Sequence, residues 1–270
     1  MNVCRVGAVE IGGRQPTLIA GPCLAESRQL CQDVAGAVAE ICRDLGIGYI
    51  FKASFDKANR TSAASARGFG MEALAWIEEA GRLAGAPTTT DVHLPEQCRE
   101  VAEAVDLVQI PAFLCRQTDL LEAAAATGRP VNVKKGQFLA PWDTRNIVEK
   151  LRKAGASGIL LTERGTTFGY NTLIVDMYGL EVMRSQGVPV CFDGTHSTQR
   201  PGGAGTASGG VREAVPALCR AAAAVGIDAL FLEVHPNPEK ALSDAATQWP
   251  MGHLRGLLER VLRVWEAARG

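Results

Sequence analysis

Eight short apolar runs recur along this 270-residue chain, each ending in a residue able to bind an anion or a metal. Residues 18–20 precede Cys23, 49–51 precede Lys52, 88–90 precede Asp91 and His93, and 107–110 surround Gln109. Residues 131–133 precede Lys134, 159–161 precede Glu163 and Arg164, 188–192 precede Asp193 and His196, and 230–232 precede Glu233. The segments between them mostly carry the spacing of amphipathic helix, at 26–45, 70–83, 95–104, 118–127, 142–154, 173–185, 210–225 and 251–268. Strands that alternate with helices pair in parallel, because only a long crossover returns the chain to the same end of the sheet. Eight such repeats, roughly 30 residues each, predict one (β/α)8, or TIM, barrel. In that architecture the chemistry sits where the strands end.

The bulk properties agree. The length suits one barrel of about 250 residues, and no Pro/Ser-rich linker divides it. Residues 1–16, with their alternating Val-Glu-Ile-Gly-Gly run, read as an N-terminal hairpin extension that plugs the barrel's N-terminal end. Residues 17–270 then form the catalytic barrel domain. A net charge of −1 gives no general attraction to nucleic acid or an anionic membrane. No apolar run is long enough to span a bilayer. The first residues lack the apolar stretch of a signal peptide, so a cytoplasmic location is expected. Eight cysteines without a Cys-x-x-Cys pair are expected to be unbridged and mostly buried as small hydrophobes. The first helix is expected to open at Glu26 and stop at Gly46. Two long loops, 52–70 and the Gly-rich 194–209, leave the expected rim, and the second reads as a lid.

Seven cations lie at strand ends or in the loops that follow: Lys52, Lys57, Arg60, Arg116, Lys134, Lys135 and Arg164. Ordinary charged loops account for Lys135 and Arg116. Lys52, Lys134 and Arg164 follow buried strands directly, and a buried unpaired charge costs several kcal/mol. Phosphate or carboxylate ligands are preferred over internal salt bridges as their partners, and the number of cations calls for at least two anionic groups. Cys23, His93, His196, Glu233, His235 and Asp244 could all reach the rim as metal ligands. Dispersed residues of this kind do not define a metal site alone, and a solitary Cys23 reads first as a packed thiol. A Schiff-base aldolase would need a strand-borne lysine such as Lys52 or Lys134. Strand six, however, ends in Arg164, which cannot form the imine. No dinucleotide fingerprint or P-loop is present.

Several stretches together resemble the 3-deoxy-D-manno-octulosonate 8-phosphate synthase family. They are Ile-Ala-Gly-Pro-Cys (19–23), Phe-Lys-Ala-Ser-Phe-Asp-Lys-Ala-Asn-Arg-Thr (51–61) and Gln-Ile-Pro-Ala-Phe-Leu-Cys-Arg-Gln-Thr-Asp (109–119). Val-Asn-Val-Lys-Lys-Gly-Gln-Phe (131–138), Thr-Glu-Arg-Gly-Thr-Thr-Phe-Gly-Tyr (162–170), Asp-Gly-Thr-His-Ser (193–197) and Pro-Glu-Lys-Ala-Leu-Ser-Asp (238–244) complete the set. The likeness runs from about residue 17 to 265. It implies condensation of phosphoenolpyruvate with D-arabinose 5-phosphate and water, release of phosphate, and a place in lipopolysaccharide biosynthesis. Two phosphates and a carboxylate would account for the cations. The sister heptulosonate synthases carry Lys-Pro-Arg-Thr where this chain has Lys57-Ala58-Asn59-Arg60-Thr61. The inserted residue favours the five-carbon sugar, while Thr61 departs from the more usual Ser.

The resemblance also implies a metal-dependent member, because metal-independent ones carry Asn in place of Cys23. The implied ligands are Cys23, His196, Glu233 and Asp244, a mixed set suited to Fe, Zn, Mn or Co. Lys52, Lys134 and Arg164, with Gln109, are assigned to phosphoenolpyruvate. Lys57, Asn59, Arg60 and Thr61 are assigned to the sugar phosphate. Lys52, Lys57, Asn59, Asp193 and His196 form the expected catalytic set, with Asp91 and His93 behind the ligands. His196 or a carboxylate would steer the attacking water. A homotetramer is the implied assembly. The alternatives are a heptulosonate or sialate-like synthase, or a barrel that binds phosphosugars without turnover.

Overall fold

The computed structural model describes residues 3–59, 66–202 and 209–269. Eight parallel strands close into a barrel: β1 (Thr17–Gly21), β2 (Gly48–Lys52), β3 (Thr88–Asp91), β4 (Leu107–Ile110), β5 (Val131–Lys134), β6 (Ile159–Glu163), β7 (Val190–Asp193) and β8 (Ala229–His235). Each pairs with the next, and β8 returns to β1 through Ala229↔Thr17 to Glu233↔Gly21. Eight α-helices surround them among the described residues: α1 (Arg28–Leu45), α2 (Glu72–Ala84), α3 (Gln97–Ala104), α4 (Thr118–Ala126), α5 (Thr144–Lys153), α6 (Met177–Arg184), α7 (Val215–Val225) and α8 (Leu254–Arg269). The expected architecture is present. None of these helices is long and apolar enough to cross a membrane.

Strand side chains alternate between two faces, and here the two faces meet different neighbours. Val131, Val133 and Leu161 pack outward into the large core shared with the helices. Ile19, Ile50, Leu107, Leu160, Cys191 and Phe231 point to the axis and form a second cluster. The N-terminal hairpin, Cys4–Val6 paired with Val9–Ile11, adds Cys4, Val6 and Ile11 to that inner cluster. It therefore closes the N-terminal end, as expected, and turns at Gly7, whose φ is 55°. Above this apolar floor the inward positions become polar, and that layer is the site. All eight cysteines are buried and free.

Several boundaries differ from expectation. The first helix begins at Arg28, because the Ser27 side chain accepts from the Leu30 amide as N-cap. Glu26 is not part of it and accepts from the Leu242 amide instead. Gly46 ends that helix in the left-handed conformation at φ 65°, as read from the sequence. Leu173–Ile174 form no helix. They pair with Thr166–Thr167 as a small ribbon, and α6 starts after Asp176, which caps the Gly179 amide. Gly209–Gly210 likewise pair with Gln199–Arg200, so α7 starts only at Val215. The middle of the expected lid, residues 203–208, lies outside the described residues. So do Arg60 and Thr61.

Candidate active site

A cavity of about 560 Å³ opens at the C-terminal end of the barrel, bounded by the ends of β2 to β8 and the loops after them. That is a common size for a small-molecule site. Its two sides differ in chemistry.

On one side the ends of β1 and β8 meet. Gly21, at the end of β1, permits the close approach of β2, since a Cβ there would collide with the Lys52 carbonyl. The turn after it places Cys23 at full burial, with its amide donating to Gln248 Oε1 at 3.2 Å. Cys23 Sγ lies 3.0 Å from Ser243 Oγ and 3.6 Å from Asp244 Oδ2. One ligand atom from each of Cys23, Glu233 and Asp244 lies within 4.8 Å of the others. His196 Nε2 stands 3.6 Å from Glu233 Oε2 and 3.6 Å from Asp244 Oδ2. Donors bound at about 2.0–2.3 Å to one ion stand roughly 3–4 Å apart, so the spacing fits shared coordination. Glu233 Oε2 is buried without a hydrogen-bond partner, which is the condition an ion would relieve. Asp244 holds a left-handed backbone at φ 48°, a strain tolerated at functional positions.

The ionisation of this side follows from its neighbours. Burial would raise the Glu233 carboxyl, but Lys52, His196 and Lys57 outweigh it and hold it at about 2. Burial pushes the Cys23 thiol up, aided by Glu233, so the thiolate needs a cation to form. Burial opposes a charged His196, yet Asp193 and Glu233 raise its affinity for a proton. Asp193 accepts from His196 Nδ1 at 2.8 Å and is held well below the usual carboxylate range despite burial. That contact turns Nε2 toward the two carboxylates, the arrangement in which a carboxylate backs a metal-binding imidazole.

The other side faces β4 to β6. Lys134 and Arg164 are both nearly fully buried there. Lys134 hydrogen-bonds Asp193 and lies 3.4 Å from the Phe231 ring centroid. Burial still lowers its pKa, because Asp193 offsets only part of the cost and Lys52 adds repulsion. Arg164 Nη2 donates to the neutral Gln199 Oε1 at 2.7 Å. Its Nη1 is buried with no hydrogen-bond partner, and no carboxylate among the described residues comes within ion-pair distance. Burial lowers its pKa too. This half of the mouth is short of an anion.

Lys52, Lys57, Asn59, Gln109, Lys134, Arg164, His196, Glu233 and Asp244 all line the one cavity, with Cys23 and Asp193 directly behind. Some expectations fail. Lys52 and Lys134 do have internal carboxylate partners: Lys52 Nζ lies 2.6 Å from Glu233 Oε1. The reason is the circular sheet, which sets the acidic ends of β7 and β8 among the lysines of β2 and β5. Lys135 is no loop charge. It points outward with 0% exposure and sits 3.5 Å from Glu163 Oε2, itself outward-facing. His235 turns away from the mouth toward Glu26 at 3.9 Å, and its Nδ1 accepts from the Asn237 amide. The His93 ring hydrogen-bonds Asp91 at 2.9 Å and lies 5.9 Å from the Phe55 ring.

Sequence reasoning missed Asn132, Thr162, Gln199 and Ser243. Asn132 and Thr162 carried a readable signal, a polar residue at an inward position of a buried strand. Gln199 lies in a two-residue ribbon and Ser243 in a loop, where no periodicity marks them.

The fold and site define a (β/α)8 barrel whose mouth sets a buried Lys–Arg pair against a Cys–His–Glu–Asp cluster. The chain belongs to the DAHP synthetase I family, whose match spans residues 3–267. Its relatives include the 2-dehydro-3-deoxyphosphooctonate aldolases of Synechococcus sp. and Dechloromonas aromatica. The first is 57% identical over 93% of this chain and 89% of its own. The second is 55% identical over 100% and 97%.

Proposed function

We propose that the protein condenses phosphoenolpyruvate with D-arabinose 5-phosphate and water, giving 3-deoxy-D-manno-octulosonate 8-phosphate and inorganic phosphate for lipopolysaccharide synthesis. Relatives over half identical along nearly their whole length carry the name of this aldolase. The single structural observation that supports the reading best is Arg164, a buried guanidinium whose Nη1 has no hydrogen-bond partner and which has no carboxylate partner among the described residues. Beside it, Lys134 is similarly desolvated. A phosphate or carboxylate would satisfy both.

In this reading Lys52, Lys134, Arg164 and Gln109 hold phosphoenolpyruvate. Lys57 and Asn59 hold the sugar, and Arg60 and Thr61 its phosphate. Lys57 Nζ is braced by Ser54 Oγ at 2.9 Å on the side of Glu233. Cys23, His196, Glu233 and Asp244 would hold a divalent Fe, Zn, Mn or Co ion. That ion, when bound, would supply Lewis acidity and a template for the aldehyde. Carbon 3 of the enol attacks the aldehyde carbon, and water adds at carbon 2 with loss of a proton. Cleavage of the bond from carbon 2 to the phosphate oxygen expels inorganic phosphate as the ketone forms. Asp193 fixes the imidazole of His196 through Nδ1. Lys134 and Arg164 keep the leaving phosphate's charge neutralised in a site of low dielectric. Binding both anions in one register supplies much of the rate, by removing the entropy of bringing them together.

We further assign the protein to the cytoplasm as a homotetramer. Exposed aromatic side chains, including Phe113, Trp142, Phe168 and Tyr178, give subunit contacts an apolar surface. Sedimentation velocity would read the assembly directly. The decisive assay measures phosphate release from phosphoenolpyruvate with arabinose 5-phosphate or erythrose 4-phosphate, each with and without EDTA. Arabinose-dependent turnover, lost in EDTA and restored by a divalent metal, is expected. Erythrose preference would move the activity to the sister synthase.

A further inference from the structure

Beneath the anion-seeking half of the mouth runs a chain of three polar side chains on adjacent strands. Thr162 on β6 and Asn132 on β5 are both 0% exposed, and Gln109 on β4 is 4% exposed. Thr162 Oγ1 lies 2.6 Å from Asn132 Oδ1, and Asn132 Nδ2 donates to Gln109 Oε1 at 3.3 Å. Gln109 and Asn132 are register partners, so the contact is built into the sheet. The 2.6 Å separation belongs to an O–H···O bond, shorter than the usual N–H···O. The threonine hydroxyl is therefore the donor. That commits Asn132 to present its NH2 to Gln109, and Gln109 to present its carbonyl to Asn132. The Gln109 NH2 is the end left for the cavity.

We propose that Thr162 and Asn132 are positioning residues that lock the Gln109 amide with its NH2 toward the substrate phosphate. They touch no substrate themselves. A free glutamine among cations would turn its carbonyl toward them and meet an incoming anion with oxygen against oxygen. The buried chain prevents that reversal, at positions where burial leaves no water to compete. The inference rests on the phosphoenolpyruvate reading above.

The test is a set of near-isosteric substitutions, with phosphoenolpyruvate binding measured by calorimetry and both KM values measured in alkaline buffer. Asn132→Asp keeps the shape but replaces the donor with an acceptor, which forces the Gln109 amide to invert. Its KM for phosphoenolpyruvate should rise on the order of ten- to a hundred-fold, with KM for the sugar phosphate unchanged. Gln109→Ala should cost less than that, and adding it to Asn132→Asp should recover binding, because deleting an inverted carbonyl removes repulsion. General damage to the barrel would not be rescued by a second deletion. A double variant no better than Asn132→Asp, or parallel rises in both KM values, would overturn the proposal. If Asn132→Asp does not fold, Thr162→Val removes the one donor that sets the direction. It should weaken phosphoenolpyruvate selectively, by a smaller factor, and unchanged affinity there would overturn the proposal equally. Wild-type protein that binds neither phosphoenolpyruvate nor inorganic phosphate would overturn both this inference and the reading under it.

Discussion

Lys134 and Lys135 are adjacent lysines with opposite fates, and substituting the second tests the alternation that builds the site. Lys135 is wholly buried on the outward face of the barrel. Its Nζ donates to the Leu139 carbonyl and to Thr166 Oγ1, each at 3.0 Å, and to the Gly136 carbonyl at 3.3 Å. Glu163 Oε2 stands 3.5 Å away, too far for a good hydrogen bond, so the two act as a Coulombic pair. Lys135→Met would leave three acceptors and a buried carboxylate without their cation. Breaking one side of a buried pair costs about 3–5 kcal/mol. At roughly 2–4 °C per kcal/mol for a chain near this size, Tm should fall by about 6–20 °C. Burial raises the Glu163 pKa even with Lys135 present. A carboxyl with a raised folded pKa costs nothing below its unfolded pKa. Its penalty grows as pH rises toward the folded value. The loss in Lys135→Met should therefore be smallest in acid and increase with pH, and Lys135→Met with Glu163→Gln should recover much of it. Calorimetric Tm across that pH range is the assay. A loss under about 1 kcal/mol, or one independent of pH, would refute the buried-pair reasoning.

The remaining predictions concern the mouth. Lys134→Met should lower activity strongly and also lower Tm, because it takes from the buried Asp193 one of its cationic partners and leaves His196; full activity would remove Lys134 from the site. Cys23→Asn should lose bound divalent metal and sensitivity to EDTA, and elemental analysis showing unchanged metal content would remove Cys23 from the ligand set. Arg164→Met should weaken phosphoenolpyruvate by roughly 1.5–3 kcal/mol, the worth of a charge-assisted hydrogen bond, with little change in Tm, because its buried charge has no carboxylate partner among the described residues to orphan; an unchanged KM would deny it that role. Arg60→Ala should chiefly raise KM for the sugar phosphate, and a change confined to phosphoenolpyruvate would reassign it.

What the sequence made legible follows from period and face. Apolar runs ending in functional side chains were enough for the barrel, because a parallel strand buried on both faces has few other sequences. The end of each strand was legible for the same reason. Which way each end residue points was legible only by counting in twos. Applied to Val131-Asn132-Val133-Lys134-Lys135, that count sends Asn132 and Lys134 inward and Lys135 outward, as found. Applied to Leu161-Thr162-Glu163-Arg164, it sends Thr162 and Arg164 inward and Glu163 outward toward Lys135. The loops obey no such count. Ser243 and Asp244 reach Cys23 from more than 200 positions away in sequence, and Gln199 meets Arg164 from a short ribbon that reads as flexible Gly-rich chain. Of those residues Asp244 alone was singled out, as one of several dispersed candidate ligands among which the family resemblance then chose. The circular sheet adds a constraint that no linear reading contains: it brings the acidic ends of β7 and β8 beside the lysines of β5 and β2. Lys52 and Lys134 each thereby meet a carboxylate inside a buried mouth. Arg164 is left, among the described residues, as a buried cation of the mouth with no carboxylate in ion-pair distance.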